Sequence, residues 1–379
     1  HLSIRRQRQM CIRDRIKIHG NGAVITRVGA SNFRIFKVTS TGSLTLKDLT
    51  ISKGKATEDA VSGGGGGVRV DSGGTLTANK CVFTENEAAK ASGLGGGAII
   101  VLGTAFIVNS VISSNNSVST SSGGGGICVY IGGKATISHS VISENHADTK
   151  GGGVFVWPDD NAVLTVYDSV FSCNDTLNNE DEYAGGGGIW NQGVTRIFNS
   201  ILDGNKTTGR GGAVYNHRVL YILNSLINNN EATDEGGGVY STPLSDGTWM
   251  HYNIIANNIS QTYSIYNDPS NSDITDASLN WWGAPDGPST IGYGSGDTVS
   301  TRVDYSPFLT EIPVGPAHDG DCACPHCYTA NDCGSSDNPI SLRKGEKRFS
   351  VTDLSVKSPA GSLALSLIHI SEPTRLRRI

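Results

Sequence analysis

Two short landmarks recur in phase along most of the chain, and nothing else in the sequence limits its fold as tightly. The first is a glycine cluster followed by an apolar pair: GGGVRV, GGAIIV, GGGICV, GGGVFV, GGGIWN, GGAVYN and GGGVYS. Its leading apolar residue is Val68, Ile99, Ile127, Val154, Ile189, Val214 and Val239, spaced 31, 28, 27, 35, 25 and 25 residues apart. The second follows each of these as KCVFTEN, NSVISSN, HSVISEN, DSVFSCN, NSILDGN, NSLINNN and YNIIANN. We place its closing asparagine at Asn86, Asn115, Asn145, Asn174, Asn205, Asn230 and Asn257. From Val68 to Val239 the chain runs 171 residues over six intervals, a mean period of 28.5. A fixed period of this size is the mark of a solenoid, in which each repeat buries its apolar face against its neighbours.

The kind of solenoid follows from the residues inside each repeat. A glycine triplet in every unit and short β-branched runs are poor helix material. The leucine lattice of leucine-rich repeats is absent. TLTANKCVF, KATISHSVI and AVLTVYDSVF alternate apolar and polar residues at period two, as strands with one buried face do. Strands joined by short turns, with no crossover helix, stack in parallel only by coiling. The sequence therefore predicts an all-β, single-stranded parallel β-helix of about 8–10 coils. Eight coils at ~4.8 Å each give a rod of roughly 40 Å.

Each landmark has a place in such a coil. The alternation points Phe83, Ile112, Ile142, Phe171, Leu202, Ile227 and Ile255 inward as one ladder, beside a ladder of small residues, Cys81, Ser110, Ser140, Ser169, Ser200 and Ser225. The closing asparagine is expected at a sharp bend, where Asn tolerates left-handed backbone and its amide can reach the Asn one coil away. The glycines allow positive φ and close approach of neighbouring coils.

Composition bears on what lies outside the coils. Glycine makes up 49 of 379 residues, yet Gly and Pro together fall short of the roughly 25–30% that marks disorder. No apolar run reaches the roughly 18 residues of a membrane-spanning helix. At the two ends, RRQRQMCIRDR (Arg5 to Arg15) and LSLIHISEPTR (Leu365 to Arg375) back-translate to the two strands of a transposon-based sequencing adapter. Residues 1–15 and 365–379 are therefore read as adapter-derived and outside the fold. The whole chain carries a net charge of −5; without those ends it holds 22 basic and 33 acidic residues, net −11. That sign argues against nucleic acid or an anionic membrane as partner.

With the repeat established, a resemblance becomes visible. The pattern GGGIxN … LTxxNSxIxxN is similar to the right-handed parallel β-helix repeats of bacterial surface proteins, the polymorphic outer-membrane-protein-like and adhesin families. FRIFKVTSTGSLTLKDLTISKG (Phe33 to Gly54) resembles their opening coil. SLNWWGAPDGPS (Ser278 to Ser289) with VDYSPFL (Val303 to Leu309) resembles their closing coil. The resemblance spans about residues 16–312 and implies a right-handed helix, an extracellular or cell-surface location, and a structural or adhesive role. Residues 338–364 resemble the segment that opens Rhs/YD-repeat regions of large secreted bacterial proteins, with Asn338, Pro339, Gly345, Lys347, Thr352, Asp353 and Leu354 in the matching positions. This resemblance implies, as a further alternative, a module of an Rhs-type toxin or delivery protein.

Between these parts, residues 313–337 form a cysteine-rich linker. Cys322, Cys324, Cys327 and Cys333, with His318 and His326 nearby, are open to three readings: disulfides, a small metal site, or free thiols. A carbohydrate-active enzyme on the same fold would need carboxylates and a base grouped on adjacent coils. Its candidates are Asp159, Asp160, Glu180, Asp181 and Glu182 on the two longest loops, with His217 and Arg218 as the basic pair. Solvated loop acids are the plainer reading. No cofactor is implied: the glycine clusters precede strands, not helices, and form no phosphate cradle. One feature points to binding. The residues that follow the inward Val or Ile include Phe155, Trp190, Tyr215 and Tyr240 on four consecutive coils. Such a row either supports the solenoid by stacking or offers rings to a glycan or surface protein. Stability is the expectation.

Overall fold

A computed structural model describes residues 10–12, 15–58, 63–120, 123–176, 184–290 and 293–313, and the backbone of 355–358 and 361–364. The described chain is a parallel β-solenoid of about nine coils, and it contains no helix among the described residues. No helix there is long and apolar enough to cross a membrane.

One coil shows how sequence becomes shape. Val154–Val156 forms the first face, Val163–Tyr167 and Val170–Ser172 the two halves of the second, and Asp175–Thr176 the short third. Each strand pairs in parallel with its counterpart one coil on: Val154 with Ile189, Thr165 with Arg196, Phe171 with Leu202, Asp175 with Lys206. The first face is a sheet of 12 strands and the third a sheet of seven. The expected inward ladder is buried in one continuous core from Phe83 to Ile255, joined by Leu164, Val166, Ile197 and their equivalents on the second face and by Val154, Ile189 and Val214 on the first.

Polar side chains make the bends. Between the halves of the second face, Asn109, His139, Asp168, Asn199 and Asn224 take positive φ. The serine that follows each one turns the corner with its hydroxyl: Ser140 Oγ accepts the Ser110 N–H at 3.0 Å and donates to Ser138 O at 2.8 Å. Asn253 and Asn280 continue this column, so the small residues are caps as well as fillers. The second bend differs from expectation. Left-handed backbone falls on Glu85, Ser114, Glu144 and Cys173, one residue before the buried asparagine, and the last asparagine of the row is Asn258, with Asn257 exposed in the left-handed position. The asparagine is thus free to point inward and bond. Asn145 Nδ2 donates to Asn174 Oδ1 at 2.9 Å and to Ile112 O at 2.9 Å, and the pattern repeats from Asn86 to Asn258. The row ends on Asp297, whose carboxylate accepts from Asn258 Nδ2 at 2.8 Å.

The glycine clusters do more than turn. Gly151 has φ +63°, and a Cβ on Gly152 would lie 2.4 Å from Asp175 O, so this stretch packs backbone to backbone on the third face. The third cluster position is looser, and Ala98 and Ala213 occupy it fully buried.

At the amino-terminal end, Met10–Ile12 pairs in parallel with Phe36–Val38, and Arg15 opens the strand Arg15–Thr26. The ladder therefore reaches into the segment read as adapter-derived. An open sheet edge offers hydrogen bonds to whatever backbone lies beside it, irrespective of side chains. In the expected closing coil Trp282 is fully buried. Of residues 338–364 the structure describes only a backbone hairpin, Ser355–Ser358 against Gly361–Ala364; Cys322, Cys324, Cys327, Cys333, His318 and His326 lie outside the described residues.

Candidate functional site

The row Phe155, Trp190, Tyr215, Tyr240 points away from the main core, as the strand alternation requires, but it is not exposed. All four side chains are at most 5% accessible and belong to a second apolar cluster with Ile100, Cys128 and Tyr130. The glycine stretch of the preceding coil lies over them: a Cβ on Gly185 would lie 2.9 Å from the Tyr215 ring. Trp190 and Tyr215 stack at 3.7 Å and 5°, and Tyr240 stacks at 5.2 Å on Tyr266, a fifth member that the sequence reading missed because its strand lacks the glycine landmark. Lys150 and Arg210 lie 5.5 and 5.3 Å from the Trp190 and Tyr240 ring centres. Tyr215 meets Tyr240 at 5.1 Å and 35°, and Phe155 meets Trp157 edge-on at 5.9 Å, so the rings are engaged with one another rather than offered to a ligand. Burial also pushes the Tyr240 phenol upward and holds the buried Cys128 thiol protonated.

The acid and base candidates converge in part. Asp160 forms an ion pair with Arg218, 58 residues along the chain, and Arg218 Nε also meets Asp246 Oδ2 at 2.5 Å. Both contacts lie at the turns that lead from the first face to the second. Asp159 is engaged locally, accepting from Asn161 N at 3.1 Å and Gly132 N at 2.7 Å, and these bonds hold its carboxyl below the ordinary range. His217 bonds Thr242 Oγ1 at 3.1 Å; burial, and then the adjacent Arg218 cation, lower its pKa, so it is neutral at pH 7. The arrangement holds one guanidinium between two carboxylates, beside a neutral imidazole. Glu180, Asp181 and Glu182 lie outside the described residues. Among the described residues no group of three or more His, Cys, Asp or Glu is placed to hold a metal ion.

A third region carries rings that do reach solvent. On the outward side of the second face, Tyr167 stacks on Phe198 (5.2 Å, 16°) and Tyr221 on Trp249 (4.7 Å, 10°), with Arg196 5.8 Å from the Tyr221 ring centre. Tyr167 is 40% exposed and the others are half-buried, as expected of side chains flanked by their own ladder. The sequence held a trace of this. In VLYIL the outward Val219, Tyr221 and Leu223 are all apolar, the pattern of a strand covered on both faces, whereas VLTVY and VTRIF keep Thr165 and Arg196 outward. Compared with protein-family models, curated proteins and solved structures, the chain matches none.

Proposed function

We propose that this chain is a non-catalytic, extracellular β-helix module of a larger surface protein, a stiff stalk that carries its contacts on one outer face. The observation that supports this reading best is the pair of side-chain ladders, asparagine and serine, that tie consecutive coils together in register. Buried networks with every member bonded rigidify a structure, and rigidity is what a spacer needs. The likeness of the repeat to bacterial adhesin-type solenoids agrees with this role, and the Rhs-like stretch at 338–364 agrees with membership of a larger exported protein.

A second reading, a carbohydrate-active enzyme, draws on the Asp160–Arg218–Asp246 cluster beside His217. Its weakness is that the cluster is self-neutralised: the guanidinium is shared by two carboxylates, and the imidazole is bonded to Thr242. The two readings separate in one experiment. The protein is incubated with a panel of acidic and neutral polysaccharides, and reducing ends and unsaturated products are followed alongside binding to glycans and to cell surfaces. Binding with no turnover is expected. Turnover that disappears in Asp160→Asn or His217→Ala, with folding intact, would establish the enzyme and overturn the stalk.

A further inference from the structure

We infer that the outer second face is a homodimer interface, on which two copies of this chain meet antiparallel. The inference rests on the face itself and stands whether or not the stalk reading holds.

Four strands, from Val163–Tyr167 to Gly247–His251, present Tyr167, Phe198, Tyr221, Leu223 and Trp249 outward, with Arg196 among them. Beside them runs an outward aliphatic column, Val170, Ile201, Leu226 and Ile254. Four coils at ~4.8 Å by about five residues at ~3.3 Å make a patch of roughly 300 Å² on the half that carries the rings, and the aliphatic column flanks it beyond the bend. The largest apolar patch on a single chain is of this order and is often functional. Two such faces together bury about 600 Å², with the flanking aliphatic columns adding to the rim, an area in the range of weak, reversible association. A sugar is a poorer fit, because it needs exposed aromatic faces, and here Tyr167 stacks on Phe198 and Tyr221 on Trp249.

The occupant is identified by the order of one column. Lateral pairing places Arg196, Tyr221, Trp249 and Asp276 in consecutive coils at the same register position. Read along the axis this is cation, ring, ring, anion. A two-fold axis lying in the plane of the contact, parallel to the strands and passing between Tyr221 and Trp249, brings the column of one copy over that of the other in reverse order. It sets Arg196 of one copy over Asp276 of the other, twice, with Tyr221 over Trp249 between them. Isologous contacts demand this self-complementarity, and a buried aromatic centre with a charged rim is how interfaces are commonly built. Hydrogen bonds from Ser278 and from His251 keep Asp276 ionised.

The test is sedimentation velocity of the full chain from about 5 to 500 μM. A reversible dimer is expected, with a dissociation constant of about 10–100 μM. Arg196→Asp and Asp276→Arg should each weaken it by about tenfold, because every dimer contains the pair twice. The double exchange should restore wild-type affinity. Because Asp276 also caps Ser278, each variant is first matched to the wild type by circular dichroism, and Tyr221→Lys serves as a variant free of that bond; it should abolish the dimer. A wild type that is monomeric at 500 μM overturns the inference. So does a dimer indifferent to Tyr221→Lys, or a double exchange that fails to recover. A monomer that binds glycans through Trp249 would assign the face to a sugar instead.

Discussion

Asn174 sits in the middle of the asparagine row and is fully buried. Its Oδ1 accepts the Asn145 N–H at 3.1 Å and Asn145 Nδ2 at 2.9 Å, and its Nδ2 donates to Ile142 O and Asn205 Oδ1, each at 2.9 Å. Asn174→Ala leaves two donors of Asn145 without a partner and takes a donor from Ile142 O. An orphaned buried group costs about 1–3 kcal/mol. The expected loss is therefore about 4 kcal/mol, a large share of the roughly 5–15 kcal/mol that separates folded from unfolded states. Asn174→Asp is the sharper variant. It keeps the acceptor but turns carboxylate oxygen toward Ile142 O and Asn205 Oδ1, so it should be at least as damaging at pH 7 and recover partly in acid, where a protonated carboxyl can donate one bond. Urea unfolding followed by circular dichroism and tryptophan fluorescence measures both, with outward Thr136→Ala as a control expected within about 0.5 kcal/mol of wild type. A loss below about 1 kcal/mol for Asn174→Ala would show that the row does not hold the coils together.

Other outcomes are equally specific. Gly152→Ala drives a Cβ into the Asp175 backbone and should prevent stable folding, whereas Gly153→Ala, at the position where Ala98 and Ala213 already stand, should cost about 1 kcal/mol or less in the same urea assay. Trp190→Ala should cost about 3–5 kcal/mol as a buried-ring deletion and leave any glycan binding unchanged on an array; a folded variant of wild-type stability that has lost array binding would sink that reading. The hydrogen bond to Asp175 raises the pKa of His146 above 6.5. A raised folded-state pKa adds stability that is complete below the unfolded value and disappears as pH rises through the folded one. Wild type minus His146→Gln should therefore differ most below about pH 6.5 and converge in alkali, and an NMR titration of the imidazole with its midpoint at or below 6.5 would contradict this.

Much of the fold was legible because a coil repeats its demands. Every inward position from Phe83 to Ile255 is set by period two within a strand and by register between coils, and both are visible in one dimension. The misplacement at Asn257 has a local cause. YNIIANN ends in two asparagines, and residue type alone does not say which one turns left-handed and which faces inward; the bonds to Ile227 O and Asp297 decide for Asn258. The burial of Trp190 was hidden for a different reason. Strand alternation says which side a residue leaves by, but not that the glycine stretch of the preceding coil lies over that side. Asp160 and Arg218 meet across two coils at turns of unequal length, where no period carries the register. Of the outer rings only Tyr221 stood in a strand, VLYIL, that loses its alternation; the strands of Tyr167, Phe198 and Trp249 each keep a polar outward residue.

Distances between spin labels test the central claim, a rigid stack of coils that advances by a constant step. Thr77, Thr136, Arg196 and Trp249 occupy one outward column, two coils apart in turn. Labelled in pairs by cysteine substitution and measured by pulsed electron resonance, they should give separations rising linearly: about 10 Å for two coils, about 19 Å for four and about 29 Å for six, at ~4.8 Å per coil. The distributions should stay narrow at every length. Separations that follow the number of intervening residues, or that broaden steadily with distance, would contradict the stacked coil and the stiff stalk built on it.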